Sequence, residues 1–125
     1  MPKTILIVDD SAPMRQALSR LFHAAAGFRI CGEASNGTEA IKLVQKLKPD
    51  LVVLDLCMPG MNGLETARAL KDLEMDARIL LYTMNAEEII AKDAYAAGVH
   101  ALVSKAEGIK VLIDKARTVL HQSVA

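Results

Sequence analysis

Short runs of aliphatic residues alternate along the chain with longer segments in which apolar residues recur every three or four positions. Continuous runs are typical of strands buried on both faces of a parallel sheet, and the wider spacing is typical of amphipathic helices. The run at 28–33 is more polar than the others, which indicates an edge of the sheet. Together the runs predict five strands, at 4–9, 28–33, 50–55, 78–83 and about 101–104.

A helical pattern follows each predicted strand, and residues that begin or end helices mark its limits. Ser11 is expected to cap the first helix, which Gly27 ends, and Pro49 ends the second. An asparagine followed three residues later by a glutamate resembles a capping box. The remaining limits are Asn36 with Glu39, Asn62 with Glu65 and Asn85 with Glu88 at helix starts, about 63–73 for the third helix, Gly98 at the end of the fourth, and 109–120 for the fifth.

Five strand-helix units in succession predict an α/β fold with a parallel sheet and helices on both of its faces. Because crossovers are right-handed, few topologies remain, and we expect a flavodoxin-like doubly wound sheet with strand order 2-1-3-4-5 and five helices. The chain has 125 residues, of which 52% are hydrophobic. Residues 1–125 are therefore expected to form a single domain whose core needs neither a disulfide nor a structural metal.

Charge and cysteine usage narrow the classes of partner. Lysine and arginine number 15, as do aspartate and glutamate, so the chain has no electrostatic footprint for nucleic acid or for an anionic membrane. Cys31 and Cys57 do not have metal-site spacing, and no signal-like or membrane-spanning segment is evident. Two free thiols in such a chain predict a reducing cytoplasm.

Three carboxylates follow strands that should lie side by side. Asp9 and Asp10 close the first apolar run, and Asp55 closes the third. In the order 2-1-3-4-5, strands one and three are neighbours at the topological switch point, where ligands of open α/β sheets bind. Converging carboxylates repel one another unless a hard cation neutralises them. The sequence therefore predicts a Mg²⁺ site at this edge of the sheet.

Two further polar residues end strands at the same edge. Thr83 closes strand four and Lys105 follows strand five, whereas no histidine base belongs to the set. A metal, an ammonium and a hydroxyl around carboxylates suit phosphoryl transfer to an aspartate. Asp55 is the candidate nucleophile because it stands alone and centrally between Thr83 and Lys105. The paired acids after strand one are better suited to holding the cation.

Four motifs thus stand in a fixed order along the chain: Asp9-Asp10, the segment LVVLDLCMPGMNG around Asp55, then Thr83, then Lys105. At this spacing, on five strand-helix units, they resemble a response-regulator receiver domain across essentially the whole chain. The segments GEASNG and LDLCMPGMNGLE are similar to receivers that precede a helix-turn-helix DNA-binding domain. A stand-alone receiver and a piece of a longer regulator both fit the sequence.

The resemblance implies a role for each acid. Asp55 would accept a phosphoryl group from the phosphohistidine of a sensor histidine kinase or phosphotransfer protein, or from a small phosphodonor. Asp10, Asp55 and the backbone carbonyl of Cys57 would bind Mg²⁺, and Asp9 would contribute through a water molecule.

The resemblance also implies how the signal leaves the domain. Thr83 and Lys105 would grip the phosphoryl group and shift an equilibrium between inactive and active conformations. The output surface would be the helix 4–strand 5–helix 5 face, through which a homodimer could form. The chain would bind no nucleic acid directly, and it would act on no separate substrate.

Several positions depart from the usual receiver pattern. Leu102 stands where many receivers carry an aromatic switch residue, so the switch is altered or a side chain such as Tyr95 takes part. Ala106 replaces a common proline, and Met84 is larger than the small residue often found after the threonine, which could restrict entry to the site. His100 is expected in an exposed turn. These departures affect the coupling to output more than phosphate acceptance.

Other functions remain open from the residues alone. A Mg²⁺-dependent phosphohydrolase with an aspartyl-phosphate intermediate is the enzyme alternative, although such enzymes place an Asp-x-Asp pattern after strand one, and here Asp9-Asp10-Ser11 stands there. A degenerate receiver that acts as a constitutive interaction module would not need the intact acid, threonine and lysine set. A flavodoxin-like cofactor binder would need a Ser/Thr-rich phosphate loop after strand one, which is missing.

Overall fold

The computed structural model describes residues 2–84 and 91–121. Within these ranges, strands and helices follow one another in the predicted sequence. The strands are β1 Lys3–Val8, β2 Phe28–Ala34, β3 Leu51–Asp55, β4 Arg78–Thr83 and β5 Ala101–Ser104. The helices are α1 Ala12–Ala24, α2 Gly37–Leu47, α3 Gly63–Asp72, α4 Ala91–Ala96 and α5 Ile109–Leu120, and a short 3-10 turn, Lys105–Glu107, separates β5 from α5.

The strands form one parallel sheet in the order β2-β1-β3-β4-β5, which confirms the predicted doubly wound fold. The polar strand β2 is an edge strand, as its composition indicated. β1 and β3 are neighbours, with Val8 paired to Leu54, and β3 pairs with β4 so that Asp55 lies opposite Tyr82. The acids that end β1 and β3 are therefore brought to the same end of the sheet.

Successive strand residues alternate between two packed layers, because side chains of a strand point to opposite faces. Both layers are closed to solvent, which is why the strands read as continuous aliphatic runs. The layer beneath α2, α3 and α4 contains Leu6, Val8, Val52, Leu54, Ile79, Leu81, Ala40, Val44, Ala67, Leu70 and Ala94. The layer beneath α1 and α5 contains Ile5, Ile7, Leu51, Val53, Leu80, Tyr82, Leu18, Phe22, Leu112, Ala116 and Val119.

Side-chain caps begin the helices where the sequence placed them. Ser11 accepts a hydrogen bond from the Met14 N–H at the start of α1. The Asn62 side chain and Glu65 form a complete capping box at the start of α3, and Asn36 accepts from the Glu39 N–H at the start of α2. The third predicted pair, Asn85 with Glu88, lies outside the described residues.

The interpretation of His100 as an exposed turn residue is wrong. The side chain is partly buried, and its Nδ1 accepts a hydrogen bond of 3.0 Å from the Ile79 N–H at the start of β4. The backbone N–H of His100 donates in turn to the Ile79 carbonyl oxygen at 2.8 Å. His100 therefore ties the turn before β5 to β4. None of the helices in the described part of the chain is long and apolar enough to span a bilayer.

Candidate functional site

Three side chains form a row across the end of the sheet where the strands finish, called the carboxyl edge below. Asp9 directly follows β1, Asp55 is the last residue of β3, and Tyr82 lies opposite Asp55 on β4. By the alternation of side chains, all three continue the layer that packs beneath α1 and α5. Asp9 is 1% exposed and Asp55 is 4% exposed. The row is therefore largely shielded from water.

Asp10 completes an acidic cluster with Asp9 and Asp55, as the sequence predicted. One carboxylate oxygen from each of the three lies within 4.8 Å of the others. Asp10 is exposed, so the cluster has an entrance on its side. Carboxylate oxygens at this spacing are the donor set that a hard divalent cation prefers. The residues present therefore fit a Mg²⁺ ion.

Three donors hold the Asp9 carboxylate, and a fourth holds its backbone carbonyl. Its Oδ1 accepts a hydrogen bond of 2.8 Å from the Ser11 N–H. Its Oδ2 accepts a hydrogen bond from the Tyr82 hydroxyl and lies 3.5 Å from Lys105 Nζ. Arg15 of α1 also donates to the backbone carbonyl oxygen of Asp9, at 2.6 Å. This acid is therefore fixed in one orientation.

Lys105 supplies the positive charge of the site. Its Nζ lies 3.4 Å from Asp55 Oδ1 and 3.5 Å from Asp9 Oδ2, and it stands 4.6 Å from the centroid of the Tyr82 ring. The lysine begins the 3-10 turn after β5, which Ser104 and Glu107 cap reciprocally. A capped turn positions the lysine so that it bridges the two buried acids.

Burial raises the pKa of Asp55 above its ordinary value, and repulsion by the Asp9 carboxylate adds to the effect. Lys105 and a backbone hydrogen bond from Cys57 oppose that increase without cancelling it. A carboxyl group in this state gains from any added positive charge, because a cation favours its ionised form. The electrostatics of the described residues therefore favour a cation beside Asp55.

The loop after β3 folds tightly against the carboxyl edge. The Gly63 N–H donates to the Leu56 carbonyl oxygen at 2.8 Å. A side chain on Gly63 would collide with the backbone carbonyl of Asp55, so only glycine fits this close approach. Met58 is buried and packs the loop, whereas Cys57 is exposed and carries a free thiol.

The remaining sequence-predicted residues lie around this cluster with different exposures. Thr83 is 1% exposed at the end of β4, and its Cα is paired with Ser104. Met84, the next residue, is 66% exposed, so its side chain extends into solvent. Tyr95 of α4 is 54% exposed, and Leu102 is partly buried against the layer beneath α2, α3 and α4.

The sequence interpretation missed Tyr82, because an aromatic residue in an apolar strand is typical of core packing. Its polar role depends on the register that places it opposite Asp55 and within reach of Asp9. Burial and the hydrogen bond to Asp9 raise the pKa of Tyr82, so the hydroxyl keeps its proton and acts as a donor. The sequence did contain one indication, since Tyr82 directly precedes Thr83, a residue predicted to lie at the site.

The response regulator receiver domain family matches residues 5–117 of this chain. The chain belongs to this family. Nitrate/nitrite response regulator protein NarL of Escherichia coli K12 is 42% identical over 87 residues, which cover 70% of this chain and 40% of NarL. Chemotaxis protein CheY of Thermotoga maritima is 35% identical over 105 residues, which cover 84% of this chain and 87% of CheY.

A solved structure extends the likeness of this receiver domain to three dimensions. A chain in the crystal structure of the CheX-CheY-BeF3-Mg+2 complex from Borrelia burgdorferi superposes with a TM-score of 0.87 at 27% identity, over 98% of this chain and 92% of that one. The receiver described here spans less than half of NarL but most of CheY. Homology to both is consistent with a phosphoacceptor switch of two-component signalling, and the phosphohydrolase alternative is not favoured.

Proposed function

We propose that this receiver domain is a phosphorylation-gated switch in which Asp55 accepts a phosphoryl group in the presence of Mg²⁺. The observation that carries the proposal is the acidic cluster, whose three carboxylates lie within 4.8 Å of one another, with Lys105 Nζ 3.4 Å from Asp55. A cation and a group that carries several negative oxygens would use both features together. The solved CheY complex whose name includes BeF3 and Mg²⁺ has the same fold and supports the assignment.

The chemistry requires only that the Asp55 carboxylate be ionised and reachable. One of its oxygens attacks phosphorus, and the bond from phosphorus to the histidine nitrogen or to the oxygen of an acyl phosphate breaks. The leaving group keeps the electron pair, and no proton has to be removed from the nucleophile. A histidine base is therefore unnecessary, in agreement with the composition of the cluster among the described residues.

Mg²⁺, when bound, would neutralise charge on the phosphoryl oxygens and lower the raised pKa of Asp55. Asp10, Asp55 and the backbone carbonyl of Cys57 are proposed to hold the ion. Asp9 is proposed to contribute through water, as the resemblance to receiver domains implies. The exposed position of Asp10 supports entry of the ion from that side.

Lys105 and Thr83 are proposed to convert the modification into a signal. Lys105 bridges Asp9 and Asp55, so a phosphoryl group on Asp55 would draw the ammonium toward its own oxygens. Thr83 ends the neighbouring strand and is proposed to bond the phosphoryl group. Because β4 leads toward α4, the change is proposed to reach the face formed by α4, β5 and α5, where Tyr95 of α4 is exposed.

The proposed partners follow from the same chemistry. A sensor histidine kinase or a phosphotransfer protein would supply the phosphoryl group, and a homodimer through α4, β5 and α5 is the proposed active assembly. The chain is proposed to catalyse only its own phosphorylation and dephosphorylation. Direct DNA binding is not proposed, since lysine plus arginine equals aspartate plus glutamate at 15 each. The expected cytoplasmic location stays a prediction.

Intact-mass measurement after incubation with acetyl phosphate and Mg²⁺ tests the proposal. The wild-type chain is expected to gain one phosphoryl group, and Asp55→Asn or an added chelator is expected to prevent the gain. Asp114→Asn on α5 is the matched control, because this exposed acid lies outside the cluster. Phosphorylation of Asp55→Asn to the wild-type extent would refute the assignment of the acceptor.

A second measurement tests the switch itself. Lys105→Ala is expected to accept the phosphoryl group yet to show no phosphorylation-dependent dimerisation in analytical ultracentrifugation. A wild-type shift in that variant would remove Lys105 from the switch. Repeated turnover of a small phosphate ester that is lost in Asp9→Ala but retained in Asp55→Ala would instead favour the phosphohydrolase.

A further inference from the structure

Tyr82 spans three strands of the site. Its Cα is paired with Asp55 on β3, and its hydroxyl donates to Asp9 Oδ2 at the end of β1. Because neighbouring strands lie about 4.8 Å apart, a side chain from β4 has to cross the line of β3 to reach an acid on β1. The Tyr82 side chain is 2% exposed and packs in the layer beneath α1 and α5. The residue thus connects both neighbours of the phosphoacceptor strand.

The hydroxyl occupies the Asp9 oxygen that faces Lys105. Asp9 Oδ2 accepts a hydrogen bond from the Tyr82 hydroxyl and lies 3.5 Å from Lys105 Nζ. Asp9 Oδ1 accepts a hydrogen bond of 2.8 Å from the Ser11 N–H. Asp9 is 1% exposed, so hardly any of its hydrogen-bonding capacity is left to solvent. A cation that uses this oxygen, directly or through its water shell, has to compete with the tyrosine.

The ring makes a second contact in the same site. Lys105 Nζ lies 4.6 Å from the ring centroid, within the range of a cation–π interaction. The hydroxyl fixes one acid of the Lys105 bridge, and the ring supports the ammonium between Asp9 and Asp55. One side chain therefore holds two partners of the bridge through two chemically separable groups.

We propose that Tyr82 is a positioning residue that holds Asp9 against Lys105 in the metal-free site, and that its hydrogen bond to Asp9 breaks when a divalent cation binds. The inference rests on the proposed function only in taking the acidic cluster as a Mg²⁺ site. The tyrosine hydroxyl and the cation then compete for the same oxygen, Asp9 Oδ2. Occupancy of the site is then coupled to the position of Lys105.

The two groups of Tyr82 can be separated by substitution. Tyr82→Phe removes only the hydroxyl and keeps the ring beneath Lys105, so it removes the competitor of the cation. We expect Mg²⁺ to bind this variant about fivefold more tightly, as loss of one competing hydrogen bond implies. Isothermal titration calorimetry measures the affinity without an optical probe.

The chain also carries its own reporter of this hydrogen bond. It contains two tyrosines, Tyr82 and Tyr95, and no tryptophan. A tyrosine hydroxyl bonded to a carboxylate loses emission through proton transfer in the excited state, so release of Tyr82 from Asp9 should brighten it. Tyr95→Phe leaves Tyr82 as the sole emitter, and Tyr95 is 54% exposed on α4 and is not part of the acidic cluster.

The experiment is a Mg²⁺ titration of three proteins, followed by fluorescence and calorimetry. Wild type and Tyr95→Phe are expected to brighten, with a midpoint equal to the calorimetric Kd, and Tyr82→Phe is expected not to brighten and to bind about fivefold more tightly. A merely structural role for Tyr82 would change neither the emission of Tyr95→Phe nor the affinity. The inference is overturned if Tyr82→Phe binds Mg²⁺ with wild-type affinity, or if the fluorescence of Tyr95→Phe does not change during the Mg²⁺ titration.

Intact-mass measurement on the same samples separates this inference from the proposed function. Wild type that binds Mg²⁺ and brightens but gains no phosphoryl group would leave the role of Tyr82 standing and refute the phosphoacceptor assignment. Wild type that gains the group, with Tyr82→Phe binding Mg²⁺ as wild type does, would refute the role of Tyr82 alone. The Tyr95→Phe titration leaves Tyr82 in place, so it decides the matter even if Tyr82→Phe folds poorly.

Discussion

Acidic residues stand at both ends of the parallel sheet, but their surroundings differ. At the amino edge, where the strands begin, the Asp50 carboxylate accepts hydrogen bonds from the Thr4 N–H at 2.8 Å and from the Thr4 hydroxyl at 3.1 Å. At the carboxyl edge, Asp9 and Asp55 share the Lys105 ammonium at 3.4 to 3.5 Å, and the pKa of Asp55 is raised by burial and by Asp9.

The difference separates a structural use of carboxylates from a chemical one. The Asp50 carboxylate accepts from donors of Thr4 on the neighbouring strand β1, and the Asp50 N–H donates to the Thr4 carbonyl and hydroxyl oxygens at 3.0 Å. The two residues thus hydrogen-bond to each other in both directions. The carboxyl edge gathers three acids, two of which share one ammonium, so negative charge remains that an added cation would balance. Ionisable groups with shifted pKa values cluster at functional sites, because ligand binding and catalysis depend on the charge that shifts them.

Removal of Lys105 is expected to have the largest effect on stability. Lys105→Ala leaves the acids without their cation and should lower the free energy of unfolding by about 3 kcal/mol in the absence of divalent ions. Addition of Mg²⁺ should restore most of the loss, because the ion neutralises the same charges. Urea unfolding with and without Mg²⁺ measures both effects. Lys46→Ala, on the exposed side of α2, is the control, and a Lys105→Ala deficit that Mg²⁺ cannot reduce would contradict the prediction.

Removal of Asp50 is expected to cost about 2 kcal/mol, because the Thr4 N–H and hydroxyl lose their acceptor at a partly buried site. Unlike the Lys105→Ala loss, this one should be insensitive to Mg²⁺, since Asp50 lies at the opposite edge of the sheet. Urea unfolding of Asp50→Ala measures the cost. Asp50→Asn keeps an acceptor oxygen and should recover part of the stability; an equal loss in both variants would show that geometry, rather than hydrogen bonding, holds this edge.

Asp55→Asn is expected to stabilise the metal-free protein by about 1 kcal/mol near neutral pH, several degrees in Tm. The raised pKa means that the folded state binds a proton at Asp55 more readily than the unfolded state. Wild-type stability therefore falls as the pH rises from the ordinary value of 3.8 through the raised pKa. The greater stability of the variant should vanish as the pH falls below about 3.8, where the Asp55 carboxyl of wild type becomes neutral in the folded and in the unfolded state.

Mg²⁺ is expected to shift the difference between these two proteins in favour of wild type. Wild type should gain about 1.4 kcal/mol when the ion is at tenfold its Kd, whereas Asp55→Asn has lost one ligand and should gain less. Thermal unfolding in a Mg²⁺ series measures both curves. If Asp55→Asn were less stable than wild type without metal, the charge at the carboxyl edge would not be the unfavourable feature inferred above.

The sheet was accessible from sequence because each strand is buried on both faces and reads as a continuous aliphatic run. The strand order follows from alternation and handedness, and it places Asp9, Asp10 and Asp55 together. These residues end strands, so the path of the backbone alone decides where they lie. The convergence of the three acids in the structure confirms that step, while their individual roles stay predictions.

Tyr82 and His100 were not accessible in the same way. Tyr82 reaches across β3 to Asp9, and His100 accepts from the Ile79 N–H on the adjacent strand. Both contacts depend on register and on the length of a side chain, which a pattern of apolar and polar positions does not contain. The sequence does not distinguish an amphipathic side chain whose polar atom forms a hydrogen bond from one that only packs, whether the residue lies inside an apolar strand or just before it.

His100 allows the smallest and most specific test at the side of the sheet away from the acids. Burial, and then repulsion by Arg78, lower the pKa of His100 below its ordinary value of 6.5. The neutral ring accepts from the Ile79 N–H, and a ring protonated at Nδ1 has no lone pair there to accept it. The unfolded state binds this proton more readily, so stability is complete above pH 6.5 and is lost as the pH falls through the lowered pKa.

His100→Gln has no titrating group at this position, and we expect it to be less stable than wild type by up to about 1 kcal/mol at about pH 8. The gap should narrow as the pH falls to about 5.5, because only wild type loses stability through this group. Urea unfolding of both proteins at the two pH values gives the difference, in which the titration of Asp55 cancels. A gap of constant size would mean that protonation leaves the hydrogen bond to Ile79 intact, and a widening gap would reverse the sign of the linkage.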